Sequence, residues 1–182
     1  DIEKIIVVTD LDGCYIPDRA VIKNLAHKNI TYRDDGIYTA KRGEVIQRNG
    51  NKREAINHLV SLTSLDCIPF EIYFMSRNLE HALEGRSNIN NRDKIRHAKR
   101  FVHEHQDSES LRQFFSGILG DMPNDYLGSW DYIRAEESLR SLERHTNIGI
   151  LLNHNANSKQ IRTWHGSTDV FPNPPRHLTI QR

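Results

Sequence analysis

The alternation of apolar and polar stretches along the chain predicts an α/β fold. Short apolar runs rich in β-branched or aromatic residues are typical of buried strands, and they occur at residues 5–9, 68–75, 114–119 and 148–152. Segments with apolar residues at helical spacing lie between these runs and predict amphipathic helices, at residues 52–62, 92–105 and 135–144. This alternation favours a Rossmann-like three-layer sandwich around a mostly parallel central sheet.

The stretch after the first strand predicts a small β-hairpin insertion, at about residues 14–51. Residues 30–32 and 37–39 flank Asp34-Asp35-Gly36, and an Asp-Gly pair favours the tight turn that joins antiparallel strands. Two further short elements are expected in the insertion, a helix at residues 20–28 and a strand at residues 44–46.

Length and composition fit one domain, residues 1–182, with an irregular Pro-rich tail at residues 167–182. Lys and Arg number 25 against 24 Asp and Glu, so no overall charge indicates a nucleic acid or a membrane as partner. No apolar stretch approaches the roughly 20 residues of a membrane-spanning helix. Cys14 and Cys67 are too few for a disulfide scaffold and predict a reducing, cytoplasmic location. Because the sequence begins at Asp1 rather than Met, the lack of a leader is uninformative.

The most informative motif is Asp10-Leu11-Asp12-Gly13, directly behind the first predicted strand. Open α/β sheets bind their ligands at the carboxyl ends of strands, so we expect both acids at such an edge. Two carboxylates this close repel, and each ionises less readily unless a cation or a proton intervenes. Mg²⁺ prefers oxygen ligands, so the motif predicts a metal site, the alternative being an ordinary Asp-rich turn.

Two more groups of polar residues follow predicted strands. Ser76 and Arg77 follow the run at residues 68–75, and Gly120-Asp121-Met122-Pro123-Asn124-Asp125 follows the run at residues 114–119. Each group alone is also explained by a turn or a helix cap. Their order along the chain, together with the acid pair, is therefore the more specific signal.

In order and context, these motifs resemble those of the haloacid dehalogenase superfamily, whose commonest members are Mg²⁺-dependent phosphatases. The resemblance covers about residues 4–157 and is most specific at the Gly-Asp-x-x-x-Asp of residues 120–125. The family's motif lysine, at or near a helix start, is matched best by Lys94, with Lys99 as the alternative. Cys14 departs from the family pattern, where Thr or Val is usual.

The resemblance implies a phosphomonoester hydrolase with Mg²⁺ as its cofactor. Asp10 would attack phosphorus to form an aspartyl-phosphate, and Asp12 would protonate the leaving alcohol and then assist water. The metal would be held by Asp10, the backbone carbonyl of Asp12, and Asp121, with Asp125 assigned to the same centre. The phosphoryl oxygens would be bound by Ser76, Arg77 and Lys94.

The short distance between motifs predicts an open site without a large cap domain. Only residues 77–93 separate Ser76 from Lys94. An open site favours bulky substrates such as polynucleotide ends or phosphoproteins, with sugar or nucleotide phosphates as alternatives. Basic residues cluster where a phosphate backbone could run, at Arg92, Arg96, Lys99 and Arg100 and at Lys41, Arg42, Arg48, Lys52 and Arg53. The near-neutral net charge favours solvated faces instead, so nucleic acid is a weakly supported partner, and the oligomeric state stays open.

Two other functions remain as alternatives. One is a catalytically silent relative that binds a phosphorylated partner or acts as a scaffold, although every catalytic residue type is present. The other is a receiver-like signalling domain that accepts a phosphoryl group. The acidic pair of a receiver is usually adjacent, and a late Gly-Asp-x-x-x-Asp motif is foreign to that fold.

Overall fold

The computed structural model describes residues 2–86 and 88–157. Within them the chain has a mixed α/β architecture of six strands and six α-helices. The strands are β1 Ile5–Asp10, β2 Val21–Lys23, β3 Thr31–Arg33, β4 Gly36–Thr39, β5 Ser64–Leu65 and β6 Ile68–Met75. The helices are α1 Arg42–Ser61, α2 Leu79–Glu84, α3 Asn91–Glu104, α4 Ser108–Gly117, α5 Tyr126–Arg134 and α6 Ile148–Asn157. The predicted tail at residues 167–182 lies outside the described residues.

The first sheet has the strand order β1-β6-β5 and carries the candidate site. β1 and β6 are parallel, with Ile5 opposite Phe70 and Asp10 opposite Met75, while β5 pairs with β6 in antiparallel orientation. The inward side chains of β6 pack with Leu11, Ile56 and Trp130 in one core cluster. The structure thus confirms the strands predicted at residues 5–9 and 68–75.

The second sheet has the order β2-β4-β3 and confirms the predicted hairpin. β3 and β4 are antiparallel, and Arg33 lies opposite Gly36 across the turn. The helix predicted at residues 20–28 is wrong, because Val21–Lys23 forms β2 and pairs in parallel with β4. β-Branched residues such as Val21 and Ile22 fit a pleated sheet well, and pairing with β4 stabilises the strand over a helix.

Helix α1 connects the two sheets, since it packs against β2, β4 and β6. The predicted helix at residues 52–62 is confirmed, but it already begins at Arg42, so the strand predicted at residues 44–46 is wrong. Gly43 and Gly50 weaken helix propensity locally. Burial of Val45, Asn49 and Ile56 on one side of the helix outweighs that weakness.

The strands predicted at residues 114–119 and 148–152 are wrong, because both runs lie largely in helices. They belong to α4 and α6, which pack against each other. The contact is close: a Cβ added to Gly149 would lie 3.1 Å from the Phe115 carbonyl carbon. Short apolar runs do not distinguish a buried strand from a buried helix. A Rossmann-like central parallel sheet is therefore not confirmed by the described residues.

Two other predicted helices have opposite outcomes. The helix predicted at residues 92–105 is confirmed as α3. The one predicted at residues 135–144 is wrong: only a 3-10 turn at Arg140–Leu142 forms there. No helix in the described ranges is both long enough and apolar enough to cross a membrane.

An extended segment that includes His145, Thr146 and Asn147 borders the carboxyl end of β6. Met75 forms an antiparallel bridge with Thr146, and the Ser76 N–H donates to the His145 carbonyl at 2.9 Å. The Asn147 carboxamide oxygen accepts from the Phe74 N–H at 2.7 Å, and the Thr146 hydroxyl donates to the Phe74 carbonyl at 2.6 Å. Buried polar side chains therefore pair with the backbone N–H and carbonyl groups at the edge of β6 and fix the position of the residues that follow the strand.

Candidate active site

The loops that follow β1 and β6 are joined by a continued ladder of backbone hydrogen bonds. The Leu11 N–H donates to the Met75 carbonyl and the Asp12 N–H to the Arg77 carbonyl, each at 2.8 Å. The Gly13 N–H donates to the Ser76 carbonyl at 3.1 Å. The acid pair and the Ser76–Arg77 peptide therefore lie side by side at one edge of the sheet.

The turn after β1 places two successive residues in the left-handed region, with φ of 50° at Asp12 and 65° at Gly13. That conformation costs a residue with a side chain about 1–2 kcal/mol, although Asp tolerates it better than most. A Cβ at Gly13 would lie 2.7 Å from the Leu142 Cδ2 atom, so packing also favours glycine there. Strained backbone of this kind clusters at functional sites.

Asp10 is partly buried, and one of its carboxylate oxygens accepts no hydrogen bond from the described residues. The Leu79 N–H donates to the carboxylate, but no described residue donates to the buried Oδ1 atom. Burial, followed by the negative charge of Asp12, raises the pKa of Asp10 from 3.8 to about 6, against the opposing effect of Lys52. The structure thus contains the carboxylate repulsion expected from the Asp-x-Asp spacing.

Two cations from α1 approach Asp12. The Lys52 ammonium lies 2.5 Å from the Asp12 Oδ2 atom, and the Arg48 guanidinium donates to the Asp12 carbonyl at 3.2 Å. Both basic residues project from one side of the helix because they are four positions apart. From the sequence both residues are only part of a general basic cluster, and their i, i+4 spacing is the signal that identifies them as a pair.

The predicted motif lysine lies elsewhere. Lys94 pairs with Glu80 at 3.1 Å, and the Glu80 carboxylate is one of the charges that raise the pKa of Asp10. Lys94 is therefore separated from the acid pair by another side chain, whereas Lys52 contacts it directly. Its alternative, Lys99, lies further along α3 and is exposed.

Ser76 and Arg77 are buried and hold the loops together. The Ser76 hydroxyl donates to the Glu143 carbonyl and accepts from the His145 N–H. The Arg77 guanidinium donates to the Asp34 carboxylate at 2.9 Å and so ties the β3–β4 turn to the end of β6. For Ser76 to donate to a phosphoryl oxygen, as predicted, its bond to the Glu143 carbonyl would have to be exchanged, because a hydroxyl has a single donor.

Asp121 and Asp125 are both exposed, and each already accepts a hydrogen bond. Asp121 accepts from the Tyr132 hydroxyl at 2.6 Å, and this bond holds the pKa of Asp121 below its usual value. Asp125 caps α5 by accepting from the Gly128 N–H at 2.7 Å. Among the residues that the structure describes, no three His, Cys, Asp or Glu side chains are grouped so that they could hold a metal ion. The structure therefore brings Asp10 and Asp12 together but does not gather the four predicted metal ligands.

A chain of contacts nevertheless connects Asp121 to the loop after β6. The ring of Tyr132, which binds Asp121, packs edge-to-face against His145 with the ring centroids 5.3 Å apart. The backbone of His145 is bonded to Ser76. Two intervening residues thus link the exposed acid to the candidate site.

Comparison with known proteins does not assign the chain to a family. No family model, no curated protein and no solved structure matches it. The function must therefore be inferred from the chemistry of the site.

Proposed function

We propose that the chain is a Mg²⁺-dependent phosphomonoester hydrolase that forms an aspartyl-phosphate at Asp10. The observation that carries this proposal is the environment of Asp10, a partly buried carboxylate beside Asp12 and near Lys52, with one oxygen to which no described residue donates. Such a carboxylate can act as a nucleophile, and the nearby cations can stabilise an anionic substrate.

The acid pair fits part of a Mg²⁺ site. Mg²⁺ is usually bound through one or two carboxylates, with its other positions filled by water and by substrate phosphate. The buried Oδ1 of Asp10, to which no described residue donates, suits a cation, and the Asp12 carbonyl and Asp121 are the further candidates. When bound, the ion would neutralise charge between the nucleophile and the phosphoryl group.

The residues have distinct roles in the proposed reaction. An Asp10 oxygen forms a bond to phosphorus while the bond from phosphorus to the alcohol oxygen breaks, and the alcohol leaves with a proton from Asp12. In the second step Asp12 takes a proton from water, which attacks phosphorus and releases phosphate from Asp10. Lys52 would bind a phosphoryl oxygen, because the substrate dianion competes with Asp12 for the ammonium group.

The test is phosphate release from p-nitrophenyl phosphate, with Mg²⁺ and with EDTA. We expect metal-dependent turnover that falls at least about a thousand-fold in Asp10→Asn, since the variant lacks the nucleophile. Asp66→Asn is the matched control, because Asp66 is an exposed acid in the β5–β6 turn and its turnover should equal that of the wild type. Undiminished turnover in Asp10→Asn would refute the mechanism.

A catalytically silent binding module is the second candidate function. It is favoured by the engagement of Ser76 and Arg77 in structural hydrogen bonds and by the separation of Asp121 from the acid pair. Binding of Mg²⁺ and inorganic phosphate without turnover of any phosphomonoester would support this function. A phosphorylated Asp10 that persists after reaction with a small phosphodonor would instead indicate a receiver-like role.

A further inference from the structure

A cavity of about 610 Å³ lies between β3 and the loop that leads into α3. Its volume is in the range of sites that bind small molecules. Its lining is mainly polar and includes Tyr32, Asn88, Asn90 and Lys94. The position of two of these residues connects the cavity to the acid pair.

Tyr32 forms the connection on the β3 side. Its N–H donates to the Asn88 carboxamide oxygen at 3.0 Å, and its carbonyl accepts from the Asn88 amide at 2.9 Å, so the loop is fixed to the edge of β3. The Tyr32 hydroxyl accepts from Arg48 at 3.4 Å, and Arg48 also binds the Asp12 carbonyl. Burial raises the pKa of Tyr32, and the charges of Asp12 and Asp10 raise it further. The hydroxyl end of Tyr32 therefore faces the acid pair.

Lys94 forms the connection on the α3 side. It lines the cavity and pairs with Glu80, whose charge acts on Asp10. The cavity is thus connected to the acid pair through one bridging side chain on each side, Arg48 next to Tyr32 and Glu80 next to Lys94. This connection makes it a candidate site for the leaving group.

The lining indicates the chemistry of that group. Carboxamides offer both donors and acceptors, which suits hydroxyl groups. The Asn90 side chain makes no capping hydrogen bond to the described residues of α3. Among the described residues of the lining, Lys94 is the only cationic one and Tyr32 the only aromatic one. A polynucleotide end would require several cations along a groove and aromatic faces for stacking.

We propose that this cavity binds the leaving group of the substrate and that the leaving group is a monosaccharide or a similar polyol. The substrate class is then a sugar phosphate. This inference rests on the proposed phosphatase function and selects one of the substrate classes that the sequence left open.

The kinetic test compares kcat/KM for hexose and pentose monophosphates with kcat/KM for 5′-phosphorylated oligonucleotides and phosphoserine peptides. We expect the best sugar phosphate to exceed both other classes at least about tenfold. Asn90→Ala should lower kcat/KM for that sugar phosphate about tenfold, mainly through KM, which is the loss expected for one hydrogen bond to the ligand. Asn51→Ala, an exposed position on α1, is the matched control and should not change it.

A binding test separates this inference from the proposed function. Glucose 6-phosphate is titrated into Asp10→Asn by calorimetry with Mg²⁺, and into the same protein with Asn90→Ala added. If Asn90→Ala weakens the binding of glucose 6-phosphate but the wild type does not hydrolyse it, the assignment of the cavity is supported and the proposed phosphatase activity is refuted. Turnover that favours oligonucleotides or peptides, or equal effects of Asn90→Ala and Asn51→Ala, would overturn the cavity assignment alone. Neither binding nor turnover would overturn both.

Discussion

Replacing Asp10 with Asn should stabilise the fold at neutral pH in the presence of a chelator. In the folded protein the pKa of Asp10 is raised from 3.8 to about 6, chiefly by burial and then by Asp12. The folded state therefore disfavours the ionised carboxylate relative to the unfolded chain. The contribution of Asp10 to the free energy of unfolding is therefore most favourable below pH 4 and is lost as the pH rises through 6. Asn keeps the shape of the side chain and removes the charge.

The pKa shift sets an upper limit on the effect. About two pH units correspond to roughly 3 kcal/mol of unfolding free energy. Because Asp10 is only partly buried, solvent screening reduces this limit, and we expect a gain on the order of 1 kcal/mol. For a chain of this length that gain raises the melting temperature by about 2–4 °C.

The assay is thermal and urea unfolding of both proteins in EDTA, at pH 4.5 and at pH 7.5. Asp10→Asn should unfold at a higher temperature than the wild type at pH 7.5, and the difference should shrink at pH 4.5. Asp121→Asn is the control with the opposite expectation, because the Tyr132 hydroxyl lowers the pKa of Asp121, so this variant should not gain stability. Adding Mg²⁺ should raise the melting temperature of the wild type more than that of Asp10→Asn. Lower stability of Asp10→Asn at pH 7.5 in EDTA would refute the account of charge repulsion.

Two further predictions concern the cation and the turn of the site. Lys52→Met should lower kcat/KM for p-nitrophenyl phosphate at least about tenfold, and more than Lys94→Met does, because Lys52 contacts Asp12 while Lys94 pairs with Glu80. Equal losses in steady-state kinetics would contradict this placement. Gly13→Ala should lower the unfolding free energy by at least about 1–2 kcal/mol, since it combines left-handed backbone with a 2.7 Å approach to Leu142. Gly43→Ala in helix α1, where the added Cβ meets no described atom within 4 Å, should gain up to about 1 kcal/mol in the same urea titration.

Elements that are specified by residues close together in sequence could be predicted, whereas elements that depend on contacts between distant residues could not. β1 and β6 carry their own signal in runs of β-branched and aromatic residues, and Asp35-Gly36 specifies the hairpin locally. The runs around Phe115 and Ile150 carry no such signal, because four or five apolar residues suit either a strand or a helix. Both runs are helical in the structure because α4 and α6 pack closely against each other. This contact joins residues that are distant in sequence.

The residues of the candidate site also divide into those placed by local sequence and those placed by tertiary structure. The Asp-x-Asp-Gly motif could be predicted because a strand and a turn place both acids. Lys52 could not be assigned to Asp12, because the predicted helix at residues 52–62 carries no local signal that points its first residue toward the acids. Burial of Asn49 within α1 keeps the preceding residues helical, and only the tertiary path of α1 brings the lysine to the acids.

The path of α1 also constrains how the predicted insertion could move. Its first turns pack on the second sheet through Val45, its middle presents Lys52 to Asp12, and its last turns reach the main core through Ile56. A rotation of the hairpin that carried α1 with it would therefore pull Lys52 away from Asp12. The repulsion between Asp10 and Asp12 would then no longer be offset by the ammonium group. The Arg77–Asp34 bond opposes the same movement from the other side. Substrate entry by movement of the hairpin would thus be coupled to the charge balance of the site, and a phosphoryl dianion that binds Lys52 would restore that balance.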